Sequence, residues 1–323
     1  ISSVREGEKI LVAENCHKSV LMGIIISGAI PIFIRPALSS AYHTYASISP
    51  KSVEEAFEKN SGIKAFIITS PTYHGICSDL ESIAEICHRH QALLLVDEAH
   101  GAHFAFNGKL PKTALSSGAD LVSQSIHKTA GSMTQSSMLH VNGTSELISS
   151  VSAALKIVQS TSPSYILMAS LDGARHSLAI NGQRLTDNML GTASLIRDGI
   201  NSIDGAFCCG SDAPAVFDYD RTRVVFGIKT LSGFDLSDIL FRESGICTEM
   251  CDGHNVVAVT GPGDTEKDAQ RLIDAVRSAA LKYDSGDDLP QDEYFPALPP
   301  MAATPRKAFF SDTERIPFEN SIG

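Results

Sequence analysis

The sequence has no apolar run long enough to cross a bilayer. Its most hydrophobic stretch, residues 20–34 (VLMGIIISGAIPIFI), is broken by Gly23, Gly28 and Pro31. It is also shorter than the roughly 20 residues a spanning helix needs. It reads instead as a buried helix followed by a buried strand, and no membrane partner is expected. Basic charge is short as well: 26 Lys and Arg against 37 Asp and Glu leave a net charge of -11. Without a basic stripe to displace counterions, no nucleic-acid partner is expected. A phosphate-binding GxxxxGK(S/T) loop is missing, and the nearest Gly-Lys pair, Gly108-Lys109, is followed by Leu110. The DEAH run at 97–100 therefore has no nucleotide to serve, and a helicase is excluded.

The cysteines lack the even count and regular spacing of a disulfide framework. Seven are scattered through the chain (16, 77, 87, 208, 209, 247 and 251), mostly in apolar surroundings. That usage fits reduced thiols packed as small hydrophobes, and a cytoplasmic protein. Cys247, Cys251 and His254 lack a fourth ligand for zinc, and so do Asp97, His100 and His103; no metal is expected. There is no signal-peptide pattern at Ile1. The chain opens without methionine, however, which leaves targeting, organellar targeting included, unread. No internal repeat is visible.

What is present is alternating strand and helix. The apolar runs at 8–15, 29–35, 63–70, 92–99, 118–127 and 136–141 read as strands. Helices are expected at 17–28, closed by Gly28, at 50–60 behind Ser49 and Pro50, and at 78–91 starting on Ser78. Residues 146–203 are helical in pattern, broken by STSPSY at 160–165. Strands near 213–220, 221–228 and 255–261 and helices at 234–245 and 265–283 complete the series. The fold class is therefore α/β, with a mostly parallel sheet covered on both faces. The expected domains are a large one over 1–203, a small α/β one over 204–284, and an extended segment, 285–323, that needs a partner surface.

In open α/β sheets ligands sit beyond the carboxyl ends of the strands. Asp97 ends the strand LLLVD, and Lys128 lies just past ADLVSQS, so on neighbouring parallel strands both reach one sheet edge. A lysine amine and a carboxylate are the two groups a pyridoxal cofactor requires: one for the imine, one to keep the pyridine nitrogen protonated. Ser125 and His127 flank the lysine with donors for a phosphate. The plain alternative is an exposed lysine after a histidine on a loop. A metal-dependent hydrolase using Asp97, His100 and His103 remains a further one.

The motifs ENCHKS (14–19), TSPTYHG (69–75), VDEAHGAHF (96–104), SQSIHKTAGSMTQSSMLH (123–140) and STSPSY (160–165) together resemble those of the Orn/Lys/Arg decarboxylases. The resemblance runs on to KAFFSDTERIPFENSIG at the end. It implies the three-layer, aminotransferase-like pyridoxal-phosphate fold type I, with pyridoxal 5'-phosphate as cofactor. By matching, Lys128 is the Schiff-base lysine, Asp97 the carboxylate on the pyridine nitrogen, and His17 the imidazole stacked on the ring. Ala99 touches the ring's other face. Ser125 and His127 hold the phosphate, and Ser160 reaches the phosphate of a second subunit. Thr72 and His100 lie close to the cofactor. Gln135 lies in the lysine motif without a separable role.

The implied reaction is decarboxylation of a basic amino acid (lysine, arginine or ornithine) in a homodimer or higher oligomer with shared sites. Another reaction on the same fold, or a non-catalytic relative, are the alternatives. In the resembling family a strand and a Gly/Ser/Thr-rich turn, cradling the phosphate at a helix start, precede the position where this sequence begins. A C-terminal domain follows the position where it stops. Weak cofactor binding by the chain as given is the resulting expectation.

Overall fold

Five strands carry apolar side chains on both faces, so each face needs a cover. Leu11 and Ala13 on one face of the first strand join a core with Phe66, Leu94 and Val122. Ile10 and Val12, alternating with them, join a separate core with Ala65 on the other face. Val53 and Phe57 of helix Pro50–Lys59 and Ile83 of helix Leu80–Arg89 cover the first face. Val20 and Ile24 of helix Lys18–Ser27 cover the second. A fully buried phenylalanine such as Phe66 contributes about 2–3 kcal/mol to such a core.

The computed structural model describes residues 1–283, 286, 287, 289, 298–317 and 319. Across the main sheet the strands run Ile30–Ile34, Lys9–Ala13, Ile63–Thr69, Leu93–Asp97, Leu121–Gln124 and Met138–Val141. All neighbours are parallel except the last, which is antiparallel. Thr69 is in register with Asp97, and Asp97 with Ser123, so three carboxyl ends finish level. The sheet is the mostly parallel one expected.

Two expectations are corrected near that edge. The strand foreseen over 118–127 ends at Gln124, and Ile126–Thr129 forms a helical turn instead. Ile126 and Ala130 pack on Ala102, Ala174 and Leu178, and this burial sets the turn. The helix foreseen from Ser78 starts later: Asp79 is its N-cap and accepts from the Ser82 amide. Ser78 is buried, and its hydroxyl accepts from the Ile48 amide at 3.0 Å.

A second, four-stranded antiparallel sheet runs Ala206–Cys208, Arg223–Ile228, Val256–Val259, Met250–Cys251. Helices Gly233–Ser244 and Glu266–Tyr283 and the end of the long helix Tyr165–Asn201 share its core. The strand expected over 213–220 is only Asp218–Tyr219, and it pairs with Ile76–Cys77 rather than joining this sheet. That ribbon brings the second sheet against the site described below. In the tail, Pro305–Phe309 is a short helix, where an extended segment was expected. Arg306 donates to the carbonyls of Ile25 and Ile26, so this part lies on helix Lys18–Ser27. Residues 290–297 of the tail lie outside the described ones. Among the described residues no helix is long and apolar enough to cross a membrane. All seven cysteines are free.

Candidate active site

Parallel strands that finish level put their last side chains at one edge. Asp97 ends its strand there, with Oδ1 accepting from the Ala99 amide at 3.1 Å. It lines a cavity of about 320 Å³ together with Ser19, Val20, Ile67, Leu95 and Ser123. The neighbouring strand passes through Ser125 into the turn that carries Lys128. Because Ile126 and Ala130 are taken into the core, Lys128 is turned outward to the edge. Its Nζ lies 3.0 Å from Nε2 of His100 and 5.5 Å from the centre of the Tyr73 ring. Partial burial lowers the affinity of this amine for its proton and Arg223 adds to that, while Asp97 and Glu249 oppose.

His100 is buried, and its Nδ1 receives an Nη of Arg223, a residue 123 positions away. Burial, then Arg223 and Lys128, push the imidazole down to about 2, so it is neutral. Arg223 is fully buried, and its Nε and Nη1 have no hydrogen-bond partner. Its nearest carboxylate is Asp220, 3.8 Å from Nε. Asp220 is shared with His103 at 3.3 Å and with the Thr222 hydroxyl at 2.7 Å. Burial works against its charge, yet His103, Arg223 and Thr222 hold the carboxyl down at about 2. Gly75, at φ 86°, makes room for Arg223: a Cβ there would come within 2.7 Å of the arginine Cγ.

The remaining expected site residues fall into two groups. Ala99, Ser125 and His127 lie at the same edge as Asp97 and Lys128. His127 Nδ1 donates to the Ser136 carbonyl at 2.8 Å, and Ser125 starts the lysine turn without capping it. Gln135, exposed at φ 70°, shapes the loop that presents this carbonyl. Thr72 is occupied: its hydroxyl accepts from the Ile76 amide at 3.2 Å within a tight turn. His17 is exposed and caps helix Lys18–Ser27, its Nδ1 accepting from the Ser19 amide. Ser160 is exposed between the two long helices, with a hydroxyl that accepts from the Ser162 amide.

Arg223, Tyr73, Glu98 and Glu249 were not foreseen. Glu98 is buried and accepts from the Ala114 amide and the Gln124 side chain, tying the Asp97 strand to its neighbours. No signal in RTRVVFGI marks Arg223, because an arginine in a strand ordinarily faces water. Tyr73 could have been noticed within TSPTYHG. Cys247, Cys251 and His254 do not form a metal site, and among the described residues no group of three or more His, Cys, Asp or Glu is arranged to hold a metal.

The donor set fits a pyridoxal cofactor. An amine with weakened proton affinity and a carboxylate share one sheet edge. Buried side-chain oxygens without a partner occur on Asn15, Thr69 and Thr129, all on segments that reach that edge. Buried polar groups are ordinarily satisfied, so such orphans suit a polar ligand.

The family described as Orn/Lys/Arg decarboxylase, major domain, matches residues 1–230. The chain is 38% identical over its whole length to an arginine decarboxylase of Halalkalibacterium halodurans, covering 67% of that protein. It is 37% identical over 98% of its length to an arginine decarboxylase of Bacillus subtilis, covering 66% of that one. It thus spans about two thirds of these relatives. In solved structures it resembles the lysine decarboxylase LdcF of Francisella novicida, with TM-score 0.75 and 21% identity over 88% of this chain and 46% of that one. An alanine–glyoxylate aminotransferase of Nostoc follows with TM-score 0.69, 16% identity, and 86% and 76% coverage. With residues 1–230, well over half of the chain, matched to that family, the chain belongs to the Orn/Lys/Arg decarboxylase family.

Proposed function

We propose that this chain forms the cofactor-binding core of a pyridoxal-phosphate-dependent decarboxylase of a basic amino acid. The observation that carries this reading is the pairing of Asp97 and Lys128 at the carboxyl edge of adjacent parallel strands, with the lysine amine in contact with a neutral histidine. When bound, the cofactor supplies an electron-accepting ring conjugated to the substrate amine. Asp97 would hold the ring nitrogen protonated. His17 would lie against one face of the ring, and Ala99 would leave space on the other. Ser125 and His127 would hold the phosphate, with Thr72 beside them. His127 already spends Nδ1–H on the Ser136 carbonyl, so Nε2 is the ring nitrogen left to meet the phosphate. Lys128 or a neighbouring histidine would deliver the proton that replaces the lost carboxylate.

Assembly belongs to the same proposal. Ile157, Tyr165 and Ile166 flank the Ser160 loop and are 81%, 80% and 71% exposed. So much apolar surface beside a run of hydroxyls supports a second copy of the chain there, with Ser160 completing its partner's phosphate site. The free cysteines suit a reducing, cytoplasmic setting.

The test is direct. Added pyridoxal phosphate should give an imine band in the violet, and borohydride should fix the cofactor on Lys128 in peptide mapping. An adduct on Lys109 or Lys112 overturns the assignment. Products from arginine, lysine and ornithine then separate decarboxylation from other reactions on this fold. Arginine is tried first, because four relatives matched over nearly the whole chain are named arginine decarboxylases.

A further inference from the structure

Arginine only donates hydrogen bonds and does not lose its proton in proteins. His100 Nδ1, which receives Arg223, must therefore carry a lone pair. A neutral imidazole with a lone pair on Nδ1 has its proton on Nε2. That Nε2–H points at Lys128 Nζ, 3.0 Å away, and is satisfied only if the amine offers a lone pair. A protonated Lys128 would set an N–H against an N–H. We infer that Arg223 is a positioning residue that acts through His100 to hold Lys128 as the neutral amine, its nucleophilic form. This rests on Lys128 being the cofactor lysine, but it concerns the amine itself.

The other groups facing the amine divide. Asp97 and Glu249 favour its charged form through space, and so does the Tyr73 ring. Arg223 and partial burial favour the neutral form. Behind His100, Asp220 and His103 complete the row, and Asp220 balances the arginine charge so that it can be buried. Arg223 keeps two nitrogens unpartnered, and its Cβ and Cγ pack against Gly75, so shape holds the stem of the arginine whose guanidinium reaches Nδ1.

The test reads amine reactivity without cofactor. Competitive acylation across pH, followed by mass spectrometry, compares Lys128 with the surface lysines Lys109 and Lys112. In the unaltered chain Lys128 should titrate below both. In Arg223→Gln the glutamine can donate or accept, so His100 is free to change tautomer, and labelling of Lys128 near neutral pH should fall by about tenfold, one unit of pKa. Nitrogen NMR of His100 in the unaltered chain should show the Nε2–H tautomer, a measurement that stands even if the variant fails to fold. Lys128 titrating with the surface lysines, unmoved labelling in a folded Arg223→Gln, or an Nδ1–H tautomer would each overturn the inference. A borohydride adduct on Lys128 together with ordinary titration sinks this inference and leaves the proposed function standing. An adduct elsewhere with Lys128 still titrating low sinks the proposed function and leaves only the state of the amine, without its role.

Discussion

At the scale of single residues, charge placement is the controlling quantity. Asp97 is the carboxylate at the sheet edge; with the proposed role on the ring nitrogen, Asp97→Asn would remove that partner while leaving the lysine in place. Turnover should fall by orders of magnitude, with cofactor attachment to Lys128 surviving in part. Near-normal turnover would show the carboxylate to be misassigned. Next to it, Glu98 faces the opposite way into the core. Burial lifts its carboxyl from the ordinary 4.5 to about 7, against the pull of the Ala114 amide and Gln124. Between those values the folded chain keeps a proton that the unfolded chain has lost. The unfolded state then binds fewer protons, so stability declines as pH rises from about 4.5 to about 7 and levels off above. The span corresponds to about 3 kcal/mol at most. Buried, neutral His100 works the other way below its ordinary 6.5, so the check is a difference: Glu98→Gln should raise the urea midpoint at pH 8 relative to that at pH 5, compared with the unaltered chain. An equal pH dependence in both would remove Glu98 as its source.

At the scale of elements, caps and turns decide what the site looks like. Asp79 caps helix Leu80–Arg89, and Asp79→Ala should cost about 1 kcal/mol, as cap removal ordinarily does. Ser78→Ala acts by a different route, leaving the Ile48 amide without its buried acceptor, which costs about 1–3 kcal/mol. Chemical denaturation of both variants separates the roles: a Ser78 effect confined to helix content, with the Ile48 amide still protected from exchange, would contradict the assignment. The Lys128 turn is the element that sequence periodicity missed. SQSIHK alternates as a strand would, yet Ile126 and Ala130 need the apolar wall of the long helix, and only helical spacing brings both to it.

At the scale of the whole molecule, the site is built between parts distant in sequence. The ribbon of Ile76–Cys77 with Asp218–Tyr219 fastens the second sheet over the first, and through it Arg223 reaches His100. If Ser160 completes a partner's site, an inactive Lys128→Ala chain mixed with an inactive Ser160 variant should regain activity in the hybrid, since one of its two sites carries neither lesion. The test belongs in an active, full-length context. A hybrid that forms and stays inactive refutes the shared site, whatever the oligomeric state.

The main sheet and its covering helices were legible in the sequence, because apolar runs, N-caps such as Ser49 and the Gly28 stop are local signals that burial only reinforces. Asp97 and Lys128 were legible for the same reason: strand polarity alone sends both to the carboxyl edge. The tertiary structure decided what surrounds the lysine. Which proton His100 carries, and that a strand arginine turns inward beneath it, depend on how a second sheet docks, and no local pattern encodes a contact spanning 123 residues.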